Sequence, residues 1–365
     1  NLLEPGDTPY ENAQFLLFLV AVIKAVDEYQ DLLRVSVASA GNDHRLGANE
    51  APPAIVSMFL GEELTKILEA IENGTDYHGE EKHQMEIGVT VLPHFPKDTT
   101  DRNRTSPFAF TGNKFEFRML GSAFSIAGPN IVLNTAVAEV LREFADILEA
   151  SEDFKGDLTK LIKKTIREHK RIIFNGNNYS DEWVQEAKKR GLSNLKTTVD
   201  ALPAFISPKS IELFTRHHVF TEAEIRSRYE ILLENYTKTL NIEALTMIDM
   251  VKKGIIPACI SYQNEVMQLL NSKKAYDGYD CTLEEKLIGK LAGLSARLIK
   301  KLESLENDLL DAKSQGDALN LARFYRDRVF VSMSELRLVV DELETVVAKK
   351  YWPYPTYAEI LYSVI

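Results

Sequence analysis

Leucine spacing in the last quarter of the chain limits the fold more than any other sequence feature. From Leu283 to Ala312, leucines recur at intervals of three and four residues, which is close to the pattern of a coiled-coil seam. These leucines are Leu287, Leu291, Leu294, Leu298, Leu302, Leu305 and Leu309. A second helical run, 318–350, follows the turn at 314–316. The pattern predicts a hairpin of two long antiparallel helices with a structural role.

Helical periodicity also dominates the stretch that precedes this hairpin. Helices are predicted over 157–173, 181–189, 207–214 and 222–244. Gly191 is placed to end the second of them. No strand candidate appears after about residue 150. We therefore predict an α+β fold in two parts, with mixed structure in 1–150 and an all-helical region over 151–365.

The first part combines helices with strand candidates. Helices are predicted over 11–33, 58–73 and 128–150, and a strand over 85–92. A second strand, KFEFR, alternates charged and aromatic side chains, as expected when one face is buried. The rings of Phe115 and Phe117 then share a face, and their burial fixes the register.

The other face of the KFEFR strand carries Lys114, Glu116 and Arg118. Two cations that flank a carboxylate suit a ligand with both a phosphate and a divalent metal, since cations hold phosphate oxygens and the carboxylate holds the metal. A solvated strand face with a local ion-pair ladder is the alternative. Taken alone, this stretch favours the solvated strand face. The rest of the chain favours the ligand site.

Two polar loops that contain arginines precede the charged strand. The first contains Arg45 and Glu50, and the second contains Arg102 and Arg104. Ordered loops of this length often carry function. Guanidinium groups hold phosphate and carboxylate oxygens bidentately. The loops therefore predict a cradle for a polyanion, although each arginine taken alone also fits a surface position.

Composition and missing motifs argue against several function classes. The net charge of −11 disfavours a general nucleic-acid binder, because phosphate neutralisation needs a basic field. The longest apolar run, 15–23, is too short to span a bilayer, and no signal peptide is visible. We therefore expect a cytoplasmic protein with no nucleic-acid or membrane partner. Neither glycine-rich phosphate fingerprint occurs.

Three motifs, taken together, resemble those of glutamine synthetases. HRLGANEAPP is similar to the family's glutamate-binding segment and flap, NRTSPFAF to its second arginine segment, and NKFEFRMLGSAFSIAGPN to its arginine-rich strand. The motifs occur in the family's order, and SAGNDHRLGANEAPPAIVSMFLG with the long helical tail resembles the type III branch. The resemblance implies that 1–150 is the second half of the catalytic domain, an antiparallel sheet with helices, followed by the helical C-terminal region 151–365.

The resemblance also implies a role for the residues that match substrate-binding positions. Arg45 would bind the carboxylate of substrate glutamate. Glu50 would be the flap glutamate that shields the intermediate and helps to form the ammonium site. Arg118 would hold the γ-carboxylate or its phosphorylated form.

The nucleotide and metal positions are implied in the same way. Arg104 would contact the ATP phosphates and the phosphate being transferred, with Arg102 as a competitor for that role. Lys114 stands where the family has an arginine near the nucleotide, and Glu116 would ligate a metal. Ala109 occupies a position where better-known type I enzymes have a further arginine, so one phosphate contact is missing or comes from elsewhere.

The implied reaction is ATP-dependent ligation of ammonia to glutamate through γ-glutamyl phosphate, with Mg²⁺ or Mn²⁺. The family works as a ring-shaped homo-oligomer, expected here as a dodecamer of two stacked hexamers. Its other metal ligands precede the position of Asn1, so we expect this chain to be the C-terminal half of a longer subunit and to supply part of the active site. A non-catalytic scaffold or regulatory relative, and another ATP:carboxylate or ATP:guanidino enzyme on a related fold, remain alternatives.

Overall fold

A computed structural model describes residues 1–48, 51–75, 77, 105–276 and 278–362. They form two compact units, Asn1–Tyr229 and Glu230–Ile365. The described chain is mostly helical with one small sheet, which confirms the predicted α+β class in its coarse form. The assignment of 1–150 to a catalytic domain and of 151–365 to a helical C-terminal region stays a prediction.

The first unit is mostly helical, and the helix near its start is largely buried. In chain order, its helices are α1 (Ala13–Glu28), α2 (Gln30–Val35), α3 (Ala40–Asp43), α4 (Glu62–Asn73), α5 (Ala127–Glu149), α6 (Phe154–His169), α7 (Asp181–Lys189), α8 (Thr198–Ala201) and α9 (Pro208–Arg216), with short 3₁₀ turns at Lys170–Ile172 and Leu202–Ile206. Helix α1 packs against α5 and α6, and most of its apolar side chains are buried. This packing forms the core of the unit.

The helix predicted over 11–33 is interrupted at Tyr29, where α1 ends and α2 begins. Asn12 caps the start of α1, since its side-chain oxygen accepts a hydrogen bond from the Phe15 amide at 3.0 Å. At the break, the Gln30 side chain donates to the carbonyl of Asp27 at 2.9 Å. A side chain that bonds to a nearby carbonyl competes with the helical ladder, and this explains why periodicity alone overestimated the helix length.

Helix α7 and its end were predicted correctly from sequence. The helix covers Asp181–Lys189, and Gly191 follows with a left-handed φ of 74°. The Leu192 amide donates to the carbonyl of Ala187 at 2.9 Å, as in a helix end that closes through a left-handed glycine. A glycine is favoured at this position because an L side chain would strain the backbone.

The sheet contains β1 (Met58–Phe59), β2 (Phe108–Phe110) and β3 (Phe115–Phe117) in that order. Strands β2 and β3 are antiparallel, with Ala109 opposite Glu116. Strand β1 pairs with β2 in parallel, so the described sheet is mixed. The prediction of an antiparallel sheet is therefore wrong for the β1–β2 pair.

Strand β1 also corrects the helix predicted over 58–73. Both of its residues are buried, as is typical of a strand in a parallel pair. Gly61, with a φ of 84°, then turns the chain into α4. The strand predicted over 85–92 lies outside the described residues.

A buried carboxylate joins α5 to α9 in the first unit. Glu139 is 2% exposed. It accepts hydrogen bonds from Arg142 Nη2 at 2.9 Å and from Arg216, and His217 Nε2 lies 2.7 Å from its second oxygen. These partners, with Arg142 first, outweigh burial and lower the pKa of Glu139 from 4.5 to about 2.

We therefore expect Glu139→Gln to lower the stability of the first unit at neutral pH, by up to about 3 kcal/mol. Because the folded-state pKa lies below the unfolded value, the contribution is present above pH 4.5 and is lost as the pH falls towards 2. The difference from wild type should shrink over that range.

The chain's two tryptophans, Trp183 and Trp352, lie in different units, which makes this measurable. In a Trp352→Phe background, Trp183 fluorescence reports urea unfolding of the first unit. The exposed Glu149→Gln on the same helix is the matched control and should change stability by less than about 0.5 kcal/mol. A pH-independent difference between wild type and Glu139→Gln would contradict the assignment.

The second unit is built from long helices. These are α10 (Glu222–Met250, which begins in the first unit), α11 (Ile256–Lys274), α12 (Thr282–Ala312), α13 (Ala318–Phe324), α14 (Phe330–Glu344) and α15 (Tyr357–Tyr362). π-Helical turns at Val251–Ile255 and Tyr325–Val329 join α10 to α11 and α13 to α14. The first turn precedes Pro257, which has no amide hydrogen to donate to the helical ladder.

The predicted hairpin is present, because α12 packs against α14. The central seam leucines of α12, from Leu291 to Leu305, are buried. The second arm is shorter than predicted and ends at Glu344. The proline-containing stretch 351–356 is not helical, as predicted. Among the described residues, no helix combines the length and apolarity that a bilayer crossing needs.

Candidate functional site

The charged strand has the two faces that its sequence predicts. The rings of Phe115 and Phe117 lie 5.1 and 5.7 Å from the ring of Phe108, which is fully buried. On the other face, the Arg118 guanidinium donates to the Glu116 carboxylate, with Nη2 at 2.8 Å and Nε at 3.2 Å. Both side chains are partly exposed, at 28% and 42%, so a ligand can reach them.

Neighbouring groups favour the ionised form of the Glu116 carboxyl. The hydrogen bonds from Arg118 lower the pKa of Glu116, and the positive charge of Lys114 and a hydrogen bond with Thr111 act in the same direction. The main-chain carbonyl of Lys114 accepts from the Thr111 amide at 2.8 Å, which closes the turn between β2 and β3. The strand therefore presents an anionic oxygen ligand between two cations.

The first arginine loop meets the end of this strand. Arg45 follows α3, whose first turn is capped by the Ser39 side chain. The Arg45 guanidinium donates from Nη1 to the carbonyl of Met119 at 3.1 Å and from Nη2 to the carbonyl of Arg118 at 3.2 Å. The structure thus places Arg45 against the main chain that follows the charged strand, and Arg118 and Glu116 pair through their side chains on that strand.

The contacts of Arg45 use the two terminal nitrogens of its guanidinium group. Nη1 also donates to the side-chain oxygen of Asn42 at 3.2 Å. These bonds leave at least Nε–H and one Nη2–H without a hydrogen bond to any described residue. Both groups can donate to a carboxylate.

The helical part of the chain supports the same loop. Asp43 accepts hydrogen bonds from the Thr198 amide at 2.8 Å and from Arg34 Nη2 at 3.2 Å. Arg34 is 1% exposed and also donates to the carbonyl of Leu195 at 2.8 Å. The segment before and at the start of α8 therefore fixes the backbone two residues ahead of Arg45.

Sequence reasoning missed Asn42 and Asp43, although they neighbour a predicted site residue. Ser39, three residues before Asn42, is a typical N-cap, and this was the available signal for an ordered turn here. Nothing in the local pattern indicated their distant partners, Met119 and Thr198. Their importance became visible only through these tertiary contacts.

Three predicted residues, Glu50, Arg102 and Arg104, lie outside the described residues. The segment that follows them is described. Thr105 accepts a hydrogen bond from the Asn178 amide at 3.1 Å, and the carbonyl of Pro107 accepts from the Arg118 amide at 2.7 Å. The second arginine segment therefore enters the sheet directly beside the charged strand.

The described residues fit a divalent metal only in part. Glu116 is an ionised, partly exposed carboxylate, which is the donor type that Mg²⁺ and Mn²⁺ prefer. One carboxylate does not complete an octahedral shell. Within the described part of the chain, no group of three or more His, Cys, Asp or Glu side chains could hold a metal ion. Further ligands are needed from other residues.

Comparison with known proteins gives consistent matches. A family model described as "Glutamine synthetase C-terminal domain" matches residues 157–274. The whole chain is 47% identical to a glutamine synthetase of Butyrivibrio fibrisolvens and 36% identical to one of Bacteroides fragilis. Over 99% of its length it is 44% identical to a type-3 glutamine synthetase of Dictyostelium discoideum. The alignments cover 52%, 51% and 50% of these relatives, so the chain spans about half their length.

Proposed function

The chain belongs to the glutamine synthetase family, and from this premise we propose that it takes part in the ATP-dependent ligation of ammonia to glutamate. The observation that carries the proposal is the meeting of Arg45 with the charged strand, where Arg118 pairs with Glu116. Two cationic groups and a hard oxygen ligand on and beside one strand suit a substrate with two carboxylates and a phosphate-bearing partner.

Arg45 is proposed to hold the carboxylate of substrate glutamate. The carbonyls of Arg118 and Met119 orient its guanidinium group, and Nε–H and one Nη2–H make no hydrogen bond to a described residue, so they can donate to the substrate. A bidentate guanidinium–carboxylate pair fixes both the position and the angle of the substrate.

Arg118 is proposed to hold the γ-carboxylate, and then the phosphorylated form, during two steps. A γ-carboxylate oxygen attacks the γ-phosphorus of ATP and ADP leaves. Ammonia then attacks the acyl carbon, loses a proton, and inorganic phosphate leaves. Positive charge beside the developing anionic oxygens favours both steps. The pair with Glu116 holds the Arg118 side chain on the ligand-facing side of the strand.

Glu116 is the residue proposed to ligate Mg²⁺ or Mn²⁺, which would neutralise phosphate charge when bound. Lys114 and Arg104, with Arg102 as its competitor, are proposed for the ATP phosphates. Glu50 is proposed to shield the acyl phosphate from water, since that intermediate hydrolyses readily. It would also accept the proton that ammonium loses.

The chain is proposed to supply one half of a longer subunit, and thus part of the active site. Two observations support this: the chain spans about half of each relative, and the described residues contain no group of three or more side chains that could hold a metal ion. Ring-shaped assembly, as a dodecamer of two stacked hexamers, is proposed from family membership. The expected cytoplasmic location and lack of nucleic-acid partners stay predictions.

Release of ADP by the complete subunit tests the proposal. We expect release that requires both glutamate and ammonium and yields glutamine. Stimulation by a different carboxylate or a guanidino compound would favour a related ATP enzyme instead. If no amino acid stimulated release, the non-catalytic scaffold or regulatory relative would be favoured.

A further inference from the structure

Asn42 is a buried polar residue at the centre of the contacts that hold Arg45. It is 3% exposed and lies in the last turn of α3. Its side chain makes three hydrogen bonds: Nδ2 donates to the carbonyl of Val37 at 2.7 Å and to that of Met119 at 2.9 Å, and Oδ1 accepts from Arg45 Nη1 at 3.2 Å. Both the nitrogen and the oxygen of this side-chain amide are therefore hydrogen-bonded.

The orientation of this amide follows from its partners. If the amide were reversed, Oδ1 would face two carbonyl oxygens and the amide nitrogen would face a guanidinium group, so every contact would be repulsive. The carbonyl of Met119 also accepts from Arg45 Nη1, at 3.1 Å. Asn42, Arg45 and Met119 thus form a closed hydrogen-bonded triangle at the end of the charged strand.

The triangle restrains the orientation of the Arg45 guanidinium group. Nη1 donates both to Asn42 and to the Met119 carbonyl, so turning the guanidinium plane would break two hydrogen bonds. Nε, which makes no hydrogen bond to a described residue, is then held in one direction. Without Asn42, Nη1 would regain a free donor and the group could present other edges.

We infer that Asn42 is a positioning residue that orients Arg45 for the substrate carboxylate. The inference rests on the proposed function, because it assigns Asn42 to the same substrate subsite. Asn42 acts through Arg45 and does not itself touch the substrate. Burial and full hydrogen bonding suit this role, since a supporting group works best when its own conformation is fixed.

The test compares the complete subunit with Asn42→Ala and Gln30→Ala. Gln30 is a matched control: its amide is 6% exposed and also makes three hydrogen bonds, donating to Asp27 and accepting twice from Ser193, but it does not contact Arg45. Each variant loses one buried amide, so urea unfolding of the first unit should be affected similarly. Steady-state ADP release then gives the KM for glutamate and for ATP.

We expect Asn42→Ala to raise the KM for glutamate by about 10- to 100-fold while the KM for ATP stays unchanged. Gln30→Ala should leave both constants unchanged. Glutamate-dependent turnover with an unchanged glutamate KM in Asn42→Ala would overturn the inference and leave the proposed function standing. A rise in glutamate KM of the same size in Gln30→Ala would also overturn it.

Two further results separate the inference from the function. If wild type showed no glutamate-stimulated ADP release, the proposed function would fail and the inference with it. If Asn42→Ala did not fold, Asn42→Asp provides the second variant, because it keeps the acceptor for Arg45 and loses the donors to the carbonyls of Val37 and Met119. A normal glutamate KM in a folded Asn42→Asp would show that alignment to Met119 is unnecessary, and this would overturn the inference.

Discussion

Glu116→Gln in the complete subunit should lower kcat/KM by about 100-fold or more, since it removes the carboxylate that we propose as a ligand of the phosphate-bound metal. Glutamine has nearly the same shape as glutamate, so the fold of the strand should be kept. The hydrogen bonds from Arg118 lower the pKa of the wild-type carboxyl and favour its ionised form. The loss should therefore appear in metal-dependent steps and not in folding.

Two measurements distinguish a metal ligand from a structural ion pair. Mn²⁺ binding in the presence of ATP should weaken in Glu116→Gln, and activity should need more metal. The exposed Glu152→Gln is a matched control that keeps normal activity. The thermal unfolding of Glu116→Gln should match wild type, because an exposed ion pair contributes little to stability. Near-normal turnover in Glu116→Gln would refute the metal assignment.

Local sequence patterns predicted strand β3 and helix α7, and their success has a physical cause. A period of two needs only a few residues to show itself, so KFEFR revealed both faces of β3. The α7 helix was recognisable because Gly191 ends it with a conformation that glycine adopts most easily. The two-residue strand β1 was too short for any period and was read as part of a helix.

The hydrogen bonds that hold the Arg45 loop could not be predicted from local patterns, because the residues that they join are far apart in sequence. Asn42 contacts Met119 across 77 residues, and Asp43 contacts Thr198 across 155. Neither contact has a periodic signature. Together they hold the Arg45 loop between the charged strand and the helical segment at α8, and the family model match over 157–274 includes that segment. The helical region is therefore part of what positions the loop.

The largest effect on stability should come from Phe108→Ala, which we expect to destabilise the first unit by about 3–5 kcal/mol. Phe108 is fully buried, pairs with Phe117 across the antiparallel ladder, and lies 5.1 Å from the ring of Phe115. Truncation removes the surface against which both rings of β3 pack. It leaves a cavity that the small sheet cannot close by simple collapse, because β1 holds β2 from the other side.

Trp183 fluorescence in a Trp352→Phe background measures this loss as a shift in the urea midpoint. Phe154→Ala is the matched control: its ring is 56% exposed, and the change should stay within about 0.5 kcal/mol. Because the Phe108 ring sets the register of β3, Glu116 and Arg118 should also lose their orientation, and activity should fall below what the folded fraction explains. Activity that simply tracked the folded fraction would show that the hairpin keeps its register without Phe108, and that the aromatic face is not what aims the charged one.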